Sequence, residues 1–132
     1  MEKEFVPYEL AVKLKTLGFD EPCLGYYTHN EKLCSYGSNE INIEYLFCTH
    51  KDIYKTYSLA PTFSQAFRWF RENHGAVCEI IRKEDYNCLE FMGWIYIDDK
   101  KININSYWRP LSYEEAELAC LEKLIELTFK SE

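Results

Sequence analysis

The stretch AVCEIIRKEDYNCLEFMGWIYIDDKKININSYW, residues 76–108, contains three consecutive segments typical of β-strands. AVCEIIRK (76–83) and NCLEFMGWIYI (87–97) are rich in β-branched and aromatic residues, which favour extended backbone. The acidic and basic residues of DDKK (98–101) predict a turn, and KININSYW (101–108) predicts the third strand. Because strands joined by short turns pair antiparallel, this stretch predicts an antiparallel sheet.

Two helices are predicted before this stretch. In FVPYELAVKLKTLGFDEP (5–22), Pro7 suits the first helical position and Gly18 suits a left-handed C-terminal cap. In APTFSQAFRWFRENHG (60–75), Thr62 and Gln65 form a T-x-x-Q capping box, and Gly75 closes the helix. Both segments carry apolar residues at helical spacing, namely Leu10, Ala11, Leu14 and Leu17 in the first and Phe63, Ala66, Phe67 and Phe70 in the second.

A third helix follows the strands, from the S-x-x-E capping box of Ser112 and Glu115 towards the C-terminus. Cys120 falls in the middle of its apolar stripe, so we expect a core residue. Glu117 lies within the apolar arc, and we expect its carboxylate to be exposed or hydrogen-bonded near the sheet edge. The stripe comprises Tyr113, Ala116, Cys120, Leu124 and Leu127, extended by Leu118, Leu121, Ile125 and Phe129.

The remaining stretch, residues 23–50, predicts strands broken by turns, with alternation at Ile41, Ile43, Tyr45 and Phe47. Residues 49–61 are predicted to be a loop. The resulting order is α-β-β-α-β-β-β-α, which favours an α+β fold with a mainly antiparallel sheet of about 4–5 strands and three helices. A length of 132 residues suits a single domain, 1–132.

Composition excludes several classes of protein. The formal net charge of -7 argues against direct nucleic-acid binding, which relies on Lys and Arg to neutralise phosphates. No apolar run is long enough to span a membrane, and the start MEKEFVPYEL lacks the features of a secretory signal. The sequence therefore predicts a cytoplasmic protein with no membrane contact, whose 6 cysteines are reduced thiols.

Three segments resemble a known group of proteins. FVPYELAVKLKTLGFDEPC, APTFSQAFRWFRE and SYEEAELACLEKLIEL are similar to the three helical motifs of small proteins encoded by phages, prophages and other mobile elements of gut bacteria. That group has no established activity, so the resemblance assigns no role to any residue. It implies a bacterial or phage intracellular setting and an accessory role.

Patterns for catalysis or metal binding are weak. Cys48 and His50, with His29 or Cys34, are the nearest candidate metal ligands, but neither CxxC nor HExxH occurs. The six cysteines and three histidines show no recognisable nucleophile and base pairing, and no phosphate-binding glycine motif is present. We therefore predict no catalytic residue, no metal and no cofactor, and regard an enzyme as the less favoured class.

Aromatic residues are the strongest functional signal. Tyr, Trp and Arg are enriched at interaction hot spots, and the candidates are Tyr54, Tyr57, Trp94, Tyr96, Tyr107, Trp108 and Arg109. They favour a non-enzymatic protein that binds a macromolecule, expected to be a protein, through an aromatic surface with an acidic rim. With the resemblance to proteins of mobile elements, this predicts an accessory or inhibitory protein. The alternatives are a small-molecule or nucleotide-binding domain with an aromatic pocket, and an enzyme without a recognisable motif. A homodimer is also compatible with these aromatics.

Overall fold

The computed structural model describes residues 4–35, 47–85, 88–104 and 111–131. Its contacts divide the chain into two compact units, Met1–Ala66 and Phe67–Glu132. Within the described residues, each unit contains a three-stranded antiparallel sheet. The predicted α+β class is confirmed, whereas the prediction of one sheet of about 4–5 strands is wrong, because the strands pair in two separate groups.

The first unit contains a helix and three short strands. Helix α1 spans Tyr8–Thr16, and strands β1 (Gly25–Tyr27), β2 (Leu33–Ser35) and β3 (Ser58–Ala60) form a sheet in the order β2-β1-β3. A 3₁₀-helix at His50–Asp52 interrupts the connection to β3. Helix α1 packs against β3.

The first helix agrees with the sequence prediction. Leu10, Ala11 and Leu14 are buried, as their spacing predicts. Pro7 occupies the N-cap, one residue before the first helical position. Gly18 has a φ of +100°, a left-handed conformation that a side chain would strain, and it ends the helix.

Strand β3 corrects the prediction that residues 49–61 form only a loop. Ser58, Leu59 and Ala60 are all buried, so the strand shows no alternation of apolar and polar residues. Without that period, nothing in the sequence marks it as a strand. The predicted strand at 41–47 lies outside the described residues except for Phe47, which is 41% exposed and not in a strand.

Helix α2, Phe63–His74, begins in the first unit and ends in the second, and Gly75 closes it with a φ of +63°. The second unit continues with strands β4 (Val77–Asp85), β5 (Cys88–Ile97) and β6 (Lys100–Asn103), and with helix α3 (Tyr113–Ser131). The sheet order is β4-β5-β6. These strands confirm the prediction from residues 76–104.

The β5–β6 turn has a defined geometry. Asp98 and Asp99 have φ angles of 49° and 64°, both left-handed. A two-residue turn with positive φ at both central positions matches the right-handed twist of a hairpin, and Asp tolerates that conformation better than most residues. The turn predicted at DDKK is confirmed at Asp98 and Asp99, whereas Lys100 and Lys101 belong to β6. It sets the β5–β6 register, which pairs Tyr96 with Lys101.

Helix α3 covers one face of the β4-β5-β6 sheet. Its buried side is formed by Ala116, Cys120, Leu121, Leu124, Ile125 and Thr128. Tyr113 and Phe129, which the sequence places on the apolar stripe, are 45% and 41% exposed near the two ends of the helix. No helix among the described residues is long and apolar enough to cross a membrane.

Candidate functional site

The predicted binding residues fall into both units. Tyr54 and Tyr57 lie in the first unit, and Trp94 and Tyr96 lie on β5 of the second. Tyr107, Trp108 and Arg109 lie outside the described residues. The described aromatics therefore form two sites, one in each unit.

The site in the second unit is the sheet face that α3 does not cover. Side chains alternate across a strand, so the register places one set of β4, β5 and β6 residues on this face. We call it the exposed sheet face, and it comprises Val77, Glu79, Ile81, Met92, Trp94, Tyr96, Lys101 and Asn103. Val77 and Ile81 are 40% and 36% exposed, so this face presents aliphatic side chains to solvent.

A cation–π contact organises the centre of this face. The Nζ atom of Lys101 lies 4.2 Å from the centroid of the Trp94 ring and 5.7 Å from that of Tyr96. Both rings are half-buried, and an ammonium group over aromatic faces contributes about 0.5–1 kcal/mol at exposed sites. Lys101 therefore lies within cation–π distance of both rings.

The charges on the exposed sheet face are mixed. Glu79 pairs with Trp94 across β4 and β5, and Lys101 pairs with Tyr96 across β5 and β6. One carboxylate and one ammonium thus flank the apolar residues on opposite sides. The acidic rim expected from the sequence stays a prediction.

The site in the first unit is a group of stacked rings, Tyr26, Tyr54, Tyr57 and His29, which we call the tyrosine cluster. The rings of Tyr26 and Tyr57 are nearly parallel, with centroids 5.6 Å apart and an interplanar angle of 12°. His29 stacks on Tyr57 at 6.1 Å, and Tyr54 contacts Tyr57 edge-on at 5.1 Å. Tyr54 is 73% exposed.

A groove of about 450 Å³ lies beside the tyrosine cluster. Three tyrosines line it together with a cation, an anion and an aliphatic residue, namely Tyr26, Tyr54, Tyr57, Lys51, Asp52 and Ile53. Its volume lies within the range of small-molecule sites, about 300–1,000 Å³.

Side-chain hydrogen bonds position the segment that carries Tyr54 and Tyr57. The Nζ atom of Lys15 donates to the carbonyl oxygens of Tyr57, at 2.7 Å, and of Lys55. The backbone N–H of Thr49 donates to Oδ2 of Asp52 at 2.9 Å, which closes the 3₁₀-turn. These bonds hold an otherwise irregular segment in place.

His50 is part of the same framework. Asp20 Oδ1 lies 3.1 Å from Nδ1 of His50 and accepts the His50 backbone N–H at 2.7 Å, and the N–H of Leu59 donates to Nε2 at 3.3 Å. Both ring nitrogens are therefore engaged in a neutral imidazole. Burial lowers the pKa of His50, and the nearby Lys15 lowers it too, while Asp20 acts in the opposite direction.

The proposed metal ligands have other contacts. The Sγ atom of Cys48 lies 3.5 Å from the carbonyl oxygen of Cys23, and burial raises the pKa of Cys48 to about 11. A thiol in that environment behaves as a small apolar side chain. Among the described residues, no three His, Cys, Asp or Glu side chains are grouped to hold a metal ion.

The structure adds contributors that sequence reasoning missed, namely Tyr26, His29 and Lys101. Tyr26 and His29 reach Tyr57 across 28 or more positions of the chain, and no local pattern indicates such a contact. The position of Lys101 next to Tyr96 was predictable in principle, because a two-residue turn at Asp98–Asp99 pairs these two residues.

Comparisons with known proteins add no further assignment. No protein family, no curated protein and no solved structure matches this chain. The resemblance to proteins of mobile elements stays a prediction.

Proposed function

We propose that this protein is a non-enzymatic accessory or inhibitory factor that binds a protein partner through the exposed sheet face of its second unit. The observation that carries this proposal is the half-buried Trp94 and Tyr96 pair beneath Lys101, beside the exposed Val77 and Ile81. Trp, Tyr and Met are enriched in interface cores, where rigid rings lose little entropy on binding.

Size and charge restrict the partner. The strands of the sheet lie about 4.8 Å apart and rise about 3.4 Å per residue, so the apolar part of the exposed sheet face covers roughly 200 Å². A standard interface buries about 800 Å² on each partner, so the partner must also contact surface beyond this apolar part. Glu79 and Lys101 favour a partner that presents apolar side chains flanked by one basic and one acidic group.

Affinity capture tests the proposal. Tagged wild-type protein, Trp94→Ala and Tyr54→Ala are used as baits in bacterial lysate, and each enriched protein is purified and tested for direct binding. We expect a partner that Trp94→Ala loses and Tyr54→Ala retains, because only Trp94 lies on the exposed sheet face. A partner bound equally by Trp94→Ala, or lost only by Tyr54→Ala, would contradict the proposal.

A charged substitution on the exposed sheet face distinguishes loss of binding from misfolding. Ile81 is 36% exposed on an edge strand, so Ile81→Asp adds charge to the face without removing a core side chain. We expect Ile81→Asp to reduce binding while its thermal unfolding stays close to that of the wild type. Reduced binding in Trp94→Ala alone, together with a lower Tm, would indicate a folding defect and contradict a role in binding.

The groove beside the tyrosine cluster supports a second candidate function, binding of a small planar ligand such as a nucleotide. Tyr54 offers an exposed ring for stacking and Lys51 a cation for a phosphate. A panel of nucleoside monophosphates, titrated by calorimetry against the wild type and Tyr54→Ala, tests it. Binding that Tyr54→Ala weakens supports this candidate, and the lack of any heat of binding at millimolar nucleotide rejects it.

A further inference from the structure

Two thiols meet on the sheet face that α3 covers. Cys120 projects from α3 so closely to Gly93 that a Cβ at this glycine would lie 2.5 Å from its Sγ atom. Cys78 on β4 pairs with Ile95, two residues along β5 from Gly93 and on the same face. Diagonal neighbours across an antiparallel pair are within side-chain reach, so the Cys78 side chain lies beside the Cys120 thiol.

The two thiols differ in exposure. Cys120 is 0% exposed, whereas Cys78, near the start of an edge strand, is only half-buried. A small oxidant therefore reaches Cys78 from solvent and does not reach Cys120. In pairs of this kind, the accessible thiol reacts first and the buried thiol resolves the product.

We propose that Cys78 and Cys120 form an oxidisable pair that a hydroperoxide converts into an intramolecular disulfide between β4 and α3. In the first step, the Cys78 sulfur attacks the peroxide oxygen, the O–O bond breaks, and Cys78 becomes a sulfenic acid with release of water or an alcohol. In the second step, the Cys120 sulfur attacks the Cys78 sulfur, the S–OH bond breaks, and water leaves with the proton of the Cys120 thiol. Both cysteines are oxidised and the peroxide is reduced.

The surroundings of Cys120 control the second step. The neighbouring Cys78 thiol, burial and the nearby Glu117 all raise the pKa of Cys120. Tyr113 lies close to the same side chains. Burial raises the pKa of its hydroxyl, and Glu117, Cys78 and Cys120 raise it further. Because the thiolate is the nucleophile in disulfide formation, closure is slow and the sulfenic acid at Cys78 persists.

Peroxide treatment of the full chain tests the proposal. The protein is exposed to hydrogen peroxide, trapped with dimedone at successive times, and mapped by mass spectrometry after proteolysis. We expect dimedone first on Cys78, followed by a disulfide-linked pair of peptides that contain Cys78 and Cys120. The oxidised protein should unfold at a higher Tm, because the crosslink restricts the unfolded chain.

Three variants sharpen the test. Cys120→Ala should stop at the Cys78 sulfenic acid and show no rise in Tm. Cys34→Ser removes a half-buried thiol of the first unit and should behave as the wild type. Glu117→Gln removes a charge that raises the pKa of Cys120, so closure should accelerate by roughly threefold for each pKa unit recovered.

Two results would overturn the proposal. One is a Cys78 that stays unmodified under peroxide that modifies Cys34. The other is a disulfide that joins Cys78 to any cysteine other than Cys120, or to a second chain.

Discussion

Gly93 shows how one residue determines the packing of the second unit. Any side chain at this position would meet Cys120 Sγ and Ile104 Cδ1, each 2.5 Å from an ideal Cβ. The backbone of β5 therefore approaches α3 more closely than any other residue type would allow. Glycine inside a strand usually weakens it, so its presence in FMGWIYI indicates such a close approach.

We expect Gly93→Ala to lower the free energy of unfolding by about 1–3 kcal/mol, the usual cost of overpacking a filled core. Chemical denaturation measures this change. The same substitution made in a Cys120→Ala background should cost less, because the Sγ atom that meets the new methyl group is absent. Equal costs in the two backgrounds would mean that Cys120 does not limit the space at Gly93.

His50 makes stability depend on pH. Its pKa is lowered in the folded state by burial and by Lys15, against the opposing effect of Asp20, so the unfolded chain binds the proton more tightly. Its contribution to stability is therefore complete above the unfolded pKa of about 6.5 and is lost as pH falls below that value. Protonation also removes the acceptor for the Leu59 N–H.

Denaturation between pH 7.5 and pH 5.5 tests this expectation. The wild type should lose more stability over that interval than His50→Gln, whose amide can accept from Leu59 and donate to Asp20 without titrating. His29 and His74 are present in both proteins and serve as the internal control. Identical pH dependence in the two proteins would show that His50 is not the titrating group.

For single residues, the sequence predicted which side chains are buried or share a face better than it predicted their contacts. Trp94 and Tyr96 were predictable as neighbours, because alternate residues of a strand share a face. Cys120 is a core residue, as its place in the stripe indicates. Glu117 is half-buried, and its carboxylate raises the pKa of Cys120 and Tyr113. Tyr26 could not be predicted as a neighbour of Tyr57, since that contact depends on the β1–β3 pairing.

Among the elements, two similar capping-box sequences, T-x-x-Q and S-x-x-E, gave different helix starts. At α3, Ser112 Oγ accepts the Glu115 N–H at 3.1 Å, and Glu115 Oε1 accepts the Ser112 N–H at 3.2 Å, which completes the capping box. At α2, Thr62 accepts the Gln65 N–H at 3.2 Å. The Gln65 amide instead donates to the Pro22 carbonyl at 2.7 Å, so tertiary contact replaces the second bond.

We expect Ser112→Ala to destabilise the protein by about 1 kcal/mol, because the Glu115 N–H loses its acceptor at the helix start. Ser112→Asp provides the control, since a carboxylate can accept the same bond and also interacts favourably with the helix dipole. Thermal unfolding measures both changes. If Ser112→Asp were as unstable as Ser112→Ala, capping would not be the cause.

Strands were predicted most clearly where one face is buried and the other exposed. In the β4-β5-β6 sheet, α3 covers one face and the other is exposed, which produces clear strand patterns. In β3, burial of all three residues removes the pattern. Short strands of this kind depend on pairing with residues distant in sequence, so local reasoning identifies them poorly.

For the whole molecule, the sequence predicted the α+β class and the three helices, but not the division into two sheets. The division falls between Ala66 and Phe67, inside helix α2, where no linker composition marks a boundary. Strand pairing is non-local, and the predicted strands can be arranged in several sheets with equal local support. The single domain stays a prediction.

The described residues of the aromatic surface predicted from the sequence fall into two candidate sites, the exposed sheet face and the tyrosine cluster. Only the first combines exposed aliphatic side chains with aromatic rings on one regular surface. The central claim is therefore that this face, and not the tyrosine cluster, binds a protein partner.

Calorimetric titration of the purified partner against the wild type, Trp94→Ala and Tyr54→Ala tests this claim most directly. Truncation of a hot-spot tryptophan costs about 2 kcal/mol or more, so we expect Trp94→Ala to raise the Kd roughly 30-fold. Tyr54→Ala should leave the Kd within about twofold of the wild-type value. A Kd that Trp94→Ala leaves unchanged, or that Tyr54→Ala raises instead, would contradict it.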